Sequence, residues 1–122
     1  MIFVTVDSCR LHLERLSQIL FASFPGSTIY QHASFQNVLH DVLHNKVDAV
    51  VLEAETDGAN GLDLMKMLHR RKPEIPVFII SKTNDLRKRA EEAGANDYFV
   101  QPVTEQQLKE AMQSVKNKEN VL

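Results

Sequence analysis

Short β-forming runs alternate with segments of helical periodicity five times along this sequence, and that alternation limits the folds open to the chain. Branched and aromatic residues predict strands over residues 2–6, 28–30, 49–52, 77–80 and 98–100. Consecutive parallel strands need a long crossover connection, usually a helix, whereas antiparallel strands can be joined by short turns. The sequence therefore predicts an α/β domain in which helices cover both faces of a doubly wound, five-stranded parallel sheet.

Apolar residues spaced three and four apart predict a helix after each strand, the first over residues 11–24 and the fourth over residues 85–93. The residues that we expect to start or stop these helices are Pro25, Ser34, Pro73, Gly94 and Thr104. Of these, Ser34 is predicted to be the N-cap of the second helix. Thr104 opens a capping box with Gln107, three residues later, and so begins the last helix.

Composition places the chain among small single domains. A length of 122 residues is enough for one core, and a net charge of −2 does not attract nucleic acid or a membrane surface. Cys9 is the single cysteine, so no internal disulfide can form, which is typical of a reducing compartment. No apolar run approaches the roughly 18 residues of a membrane span, and a carboxylate interrupts the first run too early for a signal sequence. We expect a cytoplasmic domain over residues 1–117, with 118–122 as a C-terminal tail or the start of a linker.

Polar residues follow four of the five predicted strands. In open parallel sheets, ligands bind at the carboxyl ends of the strands, near the point where the strand order reverses. The glycine-rich motifs of nucleotide-binding folds do not occur in the sequence. The strand-end residues expected to form a pocket are Asp7, Ser8, Glu53, Glu55, Ser81 and Gln101.

Four segments carry a resemblance to a known family. They are VTVDS, VVLEAETDGANGLDLMKML, IPVFIIS and AGANDYFVQPVTEQQL. Taken together, and over residues 2–116, they resemble the receiver domain of two-component response regulators. The resemblance implies the flavodoxin-like (βα)5 receiver fold with strand order 2-1-3-4-5, and a role in phosphorelay signal transduction.

The resemblance also implies a chemistry for the strand ends. In that family, an aspartate at the end of the third strand attacks a phosphoryl donor and forms an acyl phosphate. Mg²⁺, held by an acidic pair after the first strand and by the acceptor, neutralises the charge. A serine or threonine after the fourth strand and a lysine after the fifth bind the phosphoryl oxygens.

Carried over to this chain, three of those positions differ from the family pattern. The acceptor position holds Glu53. Asp7 keeps the first acid of the pair, but Ser8 stands in place of the second. Gln101 occupies the lysine position and is followed by Pro102, as the family's lysine is followed by proline. The Gln101–Pro102 peptide bond is accordingly predicted to be cis.

These differences weaken phosphoryl transfer. Glu53 extends its carboxylate by one carbon–carbon bond, ~1.5 Å, and a displacement of about 1 Å in a preorganised site can cost ~10²-fold in rate. Ser8 offers a neutral oxygen where Mg²⁺ prefers a carboxylate, and Gln101 carries no charge. We therefore predict an atypical receiver that is not an enzyme, needs no cofactor and acts independently of phosphorylation.

Two interpretations of the acidic pocket stay open. Glu53 is either a built-in mimic of the phosphorylated state, with its carboxylate near Ser81, or a degenerate acceptor without a signalling role. The acids Asp7, Glu55 and Asp57 surround it. Together with Glu53, Asp7 and Glu55 form either a weak divalent-ion site or a solvated acidic rim.

Ser81 and Tyr98 are the candidate switch residues. The resemblance places Tyr98 where the family has an aromatic ring that swings inward on activation, coupled to the hydroxyl after the fourth strand. The pair either keeps a two-state switch or holds a static tyrosine at the edge of the core. Two further functional alternatives stay open: a Mg²⁺-dependent receiver that still accepts a phosphoryl group, and a module that senses a small molecule or a metal.

The expected partner surface consists of the fourth helix, the fifth strand and the fifth helix. Three basic residues and two acids on the fourth helix, within residues 87–92, suit a polar and symmetric contact. The resemblance implies that this face contacts a protein partner or an output domain in a two-component or transcriptional pathway, or a second copy in a homodimer. We expect no direct contact with nucleic acid and none with a membrane.

Overall fold

A computed structural model of the chain describes residues 1–56 and 59–120. The strands are β1 Ile2–Val6, β2 Thr28–His32, β3 Ala49–Glu53, β4 Glu55–Thr56, β5 Ala59–Asn60, β6 Val77–Ser81 and β7 Asp97–Val100. The helices are α1 Arg10–Ser23, α2 Val38–His44, α3 Gly61–Arg71, α4 Arg87–Glu92 and α5 Glu105–Asn120. Within this part of the chain, no helix has both the length and the apolar character that crossing a bilayer requires.

The five long strands form one parallel sheet in the order β2-β1-β3-β6-β7. Numbered among themselves, these strands have the order 2-1-3-4-5, so the predicted fold and strand order are confirmed. The order reverses between β1 and β3, which places the carboxyl ends of these two strands at the topological switch point.

Helices cover both faces of the sheet, because alternate residues of each central strand point to opposite sides. Val50 and Leu52 of β3 pack in one core cluster with apolar residues of α2, α3 and α4. Ala49 and Val51 pack in the other cluster with apolar residues of α1 and α5. All five residues of β3 are buried, as are all five of β6. The strands that carry the candidate site therefore lie at the centre of the domain.

Helix α2 begins later than predicted, and Ser34 is not its N-cap. Asn37 precedes the helix and has a left-handed backbone, with φ of 66°, a conformation that asparagine tolerates better than most residues. The Ser34 hydroxyl instead accepts a hydrogen bond from the Gln36 N–H within the preceding loop, at 3.4 Å. The apolar spacing that suggested an earlier start thus continues through a loop, with Phe35 still packed against the core.

Three further boundaries differ from their predicted positions by two residues or more. Strand β2 continues to His32, because Gln31 and His32 pair with Thr5 and Val6 of β1. Helix α4 begins at Arg87, since its N–H bonds to the Asn84 carbonyl in a turn. Helix α5 runs to Asn120, past residue 117.

The capping box before α5 is present as predicted. The Thr104 N–H donates to Gln107 Oε1 at 2.9 Å, and the Gln107 N–H donates to Thr104 Oγ1 at 3.1 Å. These bonds satisfy two backbone donors that a helix start otherwise leaves unpaired. The first turns of α5 then place Leu108 and Met112 in the core.

A short antiparallel hairpin, β4–β5, lies between β3 and α3 and was not predicted. Glu55 pairs with Asn60, and the Asn60 side chain caps α3 by accepting a hydrogen bond from the Leu62 N–H at 2.8 Å. A Cβ atom on Gly61 would collide with the Glu53 carbonyl oxygen, so only glycine fits this close approach. The hairpin therefore returns the chain to the end of β3. Asp57, predicted to belong to the acidic pocket, lies outside the described residues.

Candidate functional site

The carboxyl edge of the sheet carries several buried polar side chains. Asp7 follows β1 and is 1% exposed, while Glu53 ends β3 and Ser81 ends β6 at 8% and 9%. Burial of an acid is costly unless its oxygens are hydrogen-bonded. The partners of these groups therefore decide what the edge can do chemically.

The Glu53 carboxylate is held by the loop after β1. Its Oε2 atom accepts hydrogen bonds from the Ser8 N–H at 2.9 Å and from the Ser8 hydroxyl at 3.2 Å. Hydrogen bonds to a charged acceptor are stronger than those between neutral groups. Oε2 is thus fixed against the β1–α1 loop, where Ser8 supplies both a backbone and a side-chain donor.

Asp7 is paired with a residue that the strand-end pattern did not indicate. Its Oδ1 accepts from the Cys9 N–H at 2.8 Å, and its Oδ2 lies 3.2 Å from His12 Nδ1. The Gln101 amide nitrogen lies 3.2 Å from the same His12 atom. A ring nitrogen carries either a proton or a lone pair. His12 Nδ1 can therefore donate to Asp7 or accept from Gln101, but it cannot do both at once.

Burial raises the pKa of Asp7 above its ordinary value, since the low-dielectric surroundings disfavour the charged form. The negative charge of Glu53 raises this pKa further. The Cys9 N–H and His12 act in the opposite direction and lower it. Asp7 is consequently easier to protonate in the folded protein than in the unfolded chain.

The acids of this edge do not fit a magnesium ion as they are arranged. Mg²⁺ requires oxygen ligands in a near-octahedral arrangement. Both Asp7 oxygens instead face nitrogen atoms, and the Ser8 hydroxyl donates a hydrogen bond to Glu53. Glu55, on β4, is exposed. Across residues 1–56 and 59–120, no group of three or more His, Cys, Asp or Glu side chains is placed to hold a metal ion. The predicted weak site at Asp7, Glu53 and Glu55 is not assembled here.

The two candidate switch residues meet through the loop after β6. The Ser81 hydroxyl accepts from the Thr83 N–H at 3.3 Å, and the Tyr98 hydroxyl donates to the Thr83 carbonyl at 2.6 Å. Tyr98 is 2% exposed, and the Arg87 guanidinium lies 4.9 Å from the centre of its ring. A cation over an aromatic face is attracted to it. Tyr98 is therefore turned inward and held at both its hydroxyl and its ring.

Gln101 connects the ends of β6 and β7. Its N–H donates to the Ser81 carbonyl at 2.8 Å, and its side-chain amide faces His12. The Gln101–Pro102 peptide is cis, as the sequence predicted. Strand position thus placed Gln101 correctly, whereas its side-chain partner lies on α1.

The polar residues of the edge are distributed between two cavities that share Lys82. One, of about 540 Å³, is here called the Gln101 cavity; its described lining is Asp7, His12, Arg15, Leu16, Ile80, Lys82, Gln101, Pro102 and Val103. The other, of about 400 Å³, is here called the Glu53 cavity; its described lining is Glu53, Glu55, Ser81, Lys82, Thr83, Asp85 and Leu86. Apart from Lys82, the two linings share no residue among those described. Among the acids whose burial the structure describes, Asp7 and Glu53 are the most buried, and they line different cavities.

Comparison with known proteins adds an independent finding. The sequence model of the family described as "Response regulator receiver domain" matches residues 3–113. A transcriptional regulatory protein, MalR of Bacillus subtilis, is 29% identical over 91 residues, which cover 73% of this chain and 39% of that protein. The response regulator MprA of a Mycobacterium species is 25% identical over 114 residues, covering 92% of this chain and 49% of that protein. The chain thus spans less than half the length of these two relatives.

Structural similarity extends over the whole chain. A CheY-like response regulator receiver domain protein from Methanospirillum hungatei superimposes with a TM-score of 0.86 and 19% sequence identity. The match covers 99% of this chain and 98% of that one. At this level of identity, the likeness establishes the fold.

Proposed function

We propose that this chain, which belongs to the family of response regulator receiver domains, is a receiver that works without phosphorylation. It acts as a binding module in two-component signal transduction and contacts an output domain or a protein partner. The observation that carries the proposal is the hydrogen bonding of Glu53, whose Oε2 atom accepts from both donors of Ser8.

Transfer of a phosphoryl group to a carboxylate needs an accessible oxygen and positive charge at the transferred group. Glu53 occupies the acceptor position, but it is 8% exposed and its Oε2 is engaged. Gln101 offers an uncharged amide in place of a lysine ammonium. Asp7, the acid kept from the family's metal site, faces His12. The groups that would activate Glu53 are thus absent or already bonded to other residues.

The switch region supports a fixed signalling arrangement. In this family, the aromatic ring at the Tyr98 position turns inward on activation, and Tyr98 is buried with its hydroxyl bonded to the Thr83 carbonyl. Ser81 bonds to the N–H of the same residue. We infer that packing around Thr83 holds the inward arrangement, and that Glu53 supports it from β3 without contributing a phosphoryl group.

The proposed contact surface is formed by α4, β7 and α5. Arg87 of α4 lies over the Tyr98 ring, so this surface is directly joined to the switch region. Lys88 and Arg89 are exposed beside it. The relatives extend well beyond the matched region, and one is a transcriptional regulatory protein. We therefore propose a cytoplasmic role in transcriptional regulation, with an output domain, a partner or a second copy of this chain bound at this face.

Incubation with acetyl phosphate and Mg²⁺, followed by intact-mass spectrometry, tests the proposal. We expect no mass increase of one phosphoryl group in the wild-type protein. A triple variant, Ser8→Asp, Glu53→Asp and Gln101→Lys, restores the family's charged groups and is the matched comparison, because it is expected to gain the adduct. A stoichiometric phosphoryl adduct on the wild-type chain would overturn the proposal.

A further inference from the structure

We propose that the Gln101 cavity binds a small organic carboxylate with a short apolar body. Its volume of about 540 Å³ lies within the range of roughly 300–1,000 Å³ that is typical of small-molecule sites. Such sites combine an apolar wall with a few convergent polar groups. The lining of this cavity has both parts.

The polar part of the lining favours an anion. Arg15 and Lys82 are cationic, and His12 and Gln101 add ring and amide nitrogen atoms. The one acid among the described lining residues, Asp7, already faces the Cys9 N–H and His12. Among the described lining residues, two cations stand against one paired acid, and this excess attracts negatively charged ligands, although Lys82 also borders the acids of the Glu53 cavity.

Arg15 is positioned in advance for a carboxylate. One terminal nitrogen of its guanidinium donates to the Val103 carbonyl at 3.0 Å, which ties α1 to the loop before α5. The guanidinium has five N–H donors in a planar fork, and this geometry matches the two oxygens of a carboxylate. Because the Val103 bond already restricts the side chain, less conformational entropy is lost when a ligand binds.

The apolar part of the lining selects for a ligand with a hydrocarbon body. Leu16, Ile80 and Val103 are core residues that also line the cavity, and Pro102 lies beside them. A carboxylate that carries a ring or a short chain places that body against these residues, whereas acetate and inorganic phosphate have little or nothing to bury there. The ligand class is therefore an organic carboxylate with an apolar body.

Calorimetric titration with sodium benzoate tests the site, with sodium chloride added to keep the ionic strength constant. We expect saturable binding that Arg15→Gln and Lys82→Gln each weaken by roughly tenfold, the scale of losing a charged hydrogen bond. Lys46→Gln is the matched control: it removes an exposed lysine from the loop after α2, outside the cavity, and is expected to leave the affinity unchanged. Acetate and inorganic phosphate are expected to bind more weakly than benzoate.

The proposal would be overturned by heat signals that never saturate, by equal affinity in the wild-type and Lys82→Gln proteins, or by phosphate binding as tightly as benzoate. Lys82 is exposed, so its replacement tests the site even where Arg15→Gln disturbs folding. Arg15→Lys keeps the positive charge but removes the planar set of N–H donors, so this variant is expected to bind benzoate more weakly than the wild type. Binding here does not rest on the proposed function, since a phosphoryl adduct on Glu53 would leave it standing.

Discussion

The Gln101 cavity and the Glu53 cavity lie at the same edge of the sheet but differ in charge and in lining. The Gln101 cavity has two cations, one paired acid and an apolar wall. The Glu53 cavity has three acids, Glu53, Glu55 and Asp85, and shares its cation, Lys82, with the first. In the receiver family, one site combines these groups around a phosphoryl group. Here the groups are distributed between two cavities, and each of the two buried acids, Asp7 and Glu53, accepts hydrogen bonds from a neighbouring residue, although the charge of Glu53 still raises the pKa of Asp7.

This distribution rests on two sets of contacts. Ser8 fixes Glu53, and His12 stands between Asp7 and Gln101. We propose that this distribution removes the convergence of charge that phosphoryl transfer needs. Substitutions beside the Glu53 cavity and beside the Gln101 cavity should accordingly change stability by different amounts.

The largest expected loss of stability comes from a substitution beside the Glu53 cavity. Tyr98→Ala removes a buried ring and the hydrogen bond to the Thr83 carbonyl, and we expect a loss of about 3–5 kcal/mol in the free energy of unfolding. Urea denaturation measures it. Tyr98→Phe is the matched control, because it keeps the ring and loses only the hydroxyl, at a cost of about 1 kcal/mol. Equal losses in the two variants would show that the ring packing contributes nothing.

A smaller loss of stability is expected from a substitution at Ser8, in the loop after β1. Ser8→Ala removes the hydroxyl donor to Glu53 and keeps the N–H donor, so the free energy of unfolding should fall by about 1 kcal/mol. Ser8→Thr keeps a hydroxyl and should retain most of the stability. A Ser8→Ala protein as stable as the wild type would mean that the side-chain bond does not hold Glu53 in solution.

The smallest change in stability is expected from a substitution that lines the Gln101 cavity, and this change depends on pH. Burial raises the pKa of Asp7, so between its unfolded and folded pKa values the native state binds more protons than the unfolded chain. Stability from this group therefore falls as pH rises through that interval. Asp7→Asn removes the charge, and we expect a melting temperature a few degrees higher at neutral pH, with the gain vanishing as the solution is acidified.

Thermal melts of both proteins across the acidic and neutral range check this prediction. Glu74→Gln removes an exposed carboxylate outside both cavities and is the control for the loss of one negative charge; a gain as large as that of Asp7→Asn would contradict the role of burial. A destabilised Asp7→Asn protein at neutral pH would show that the contacts of the Asp7 carboxylate with the Cys9 N–H and His12 outweigh the cost of burial.

Local pattern was sufficient to predict the fold class, whereas the strand order was predicted from the resemblance to receiver domains. Strict alternation of strands and helices leaves few topologies other than a parallel sheet with both faces covered. The capping box at Thr104 was correct because both partners lie within one helical turn. The prediction of Ser34 as the N-cap of the second helix was wrong for a local reason as well. A left-handed backbone at Asn37 interrupts a spacing of apolar residues that is otherwise helical.

Side-chain partners in the site were harder to predict, because they join residues far apart in the sequence. Ser8 and Glu53 are separated by 45 positions, and His12 and Gln101 by 89. Strand ends indicate where polar groups gather, but they do not show which groups pair. The short β4–β5 hairpin was also missed. Its strands, at two residues each, were too short to be recognised.

The central claim is that Tyr98 and Thr83 keep their arrangement without a phosphoryl group on Glu53. Two-dimensional amide NMR spectra, recorded before and after addition of acetyl phosphate and Mg²⁺, test it most directly. We expect unchanged resonances for Thr83, Tyr98 and the residues of α4. Movement of these resonances that requires both reagents and is lost in Glu53→Gln would contradict it.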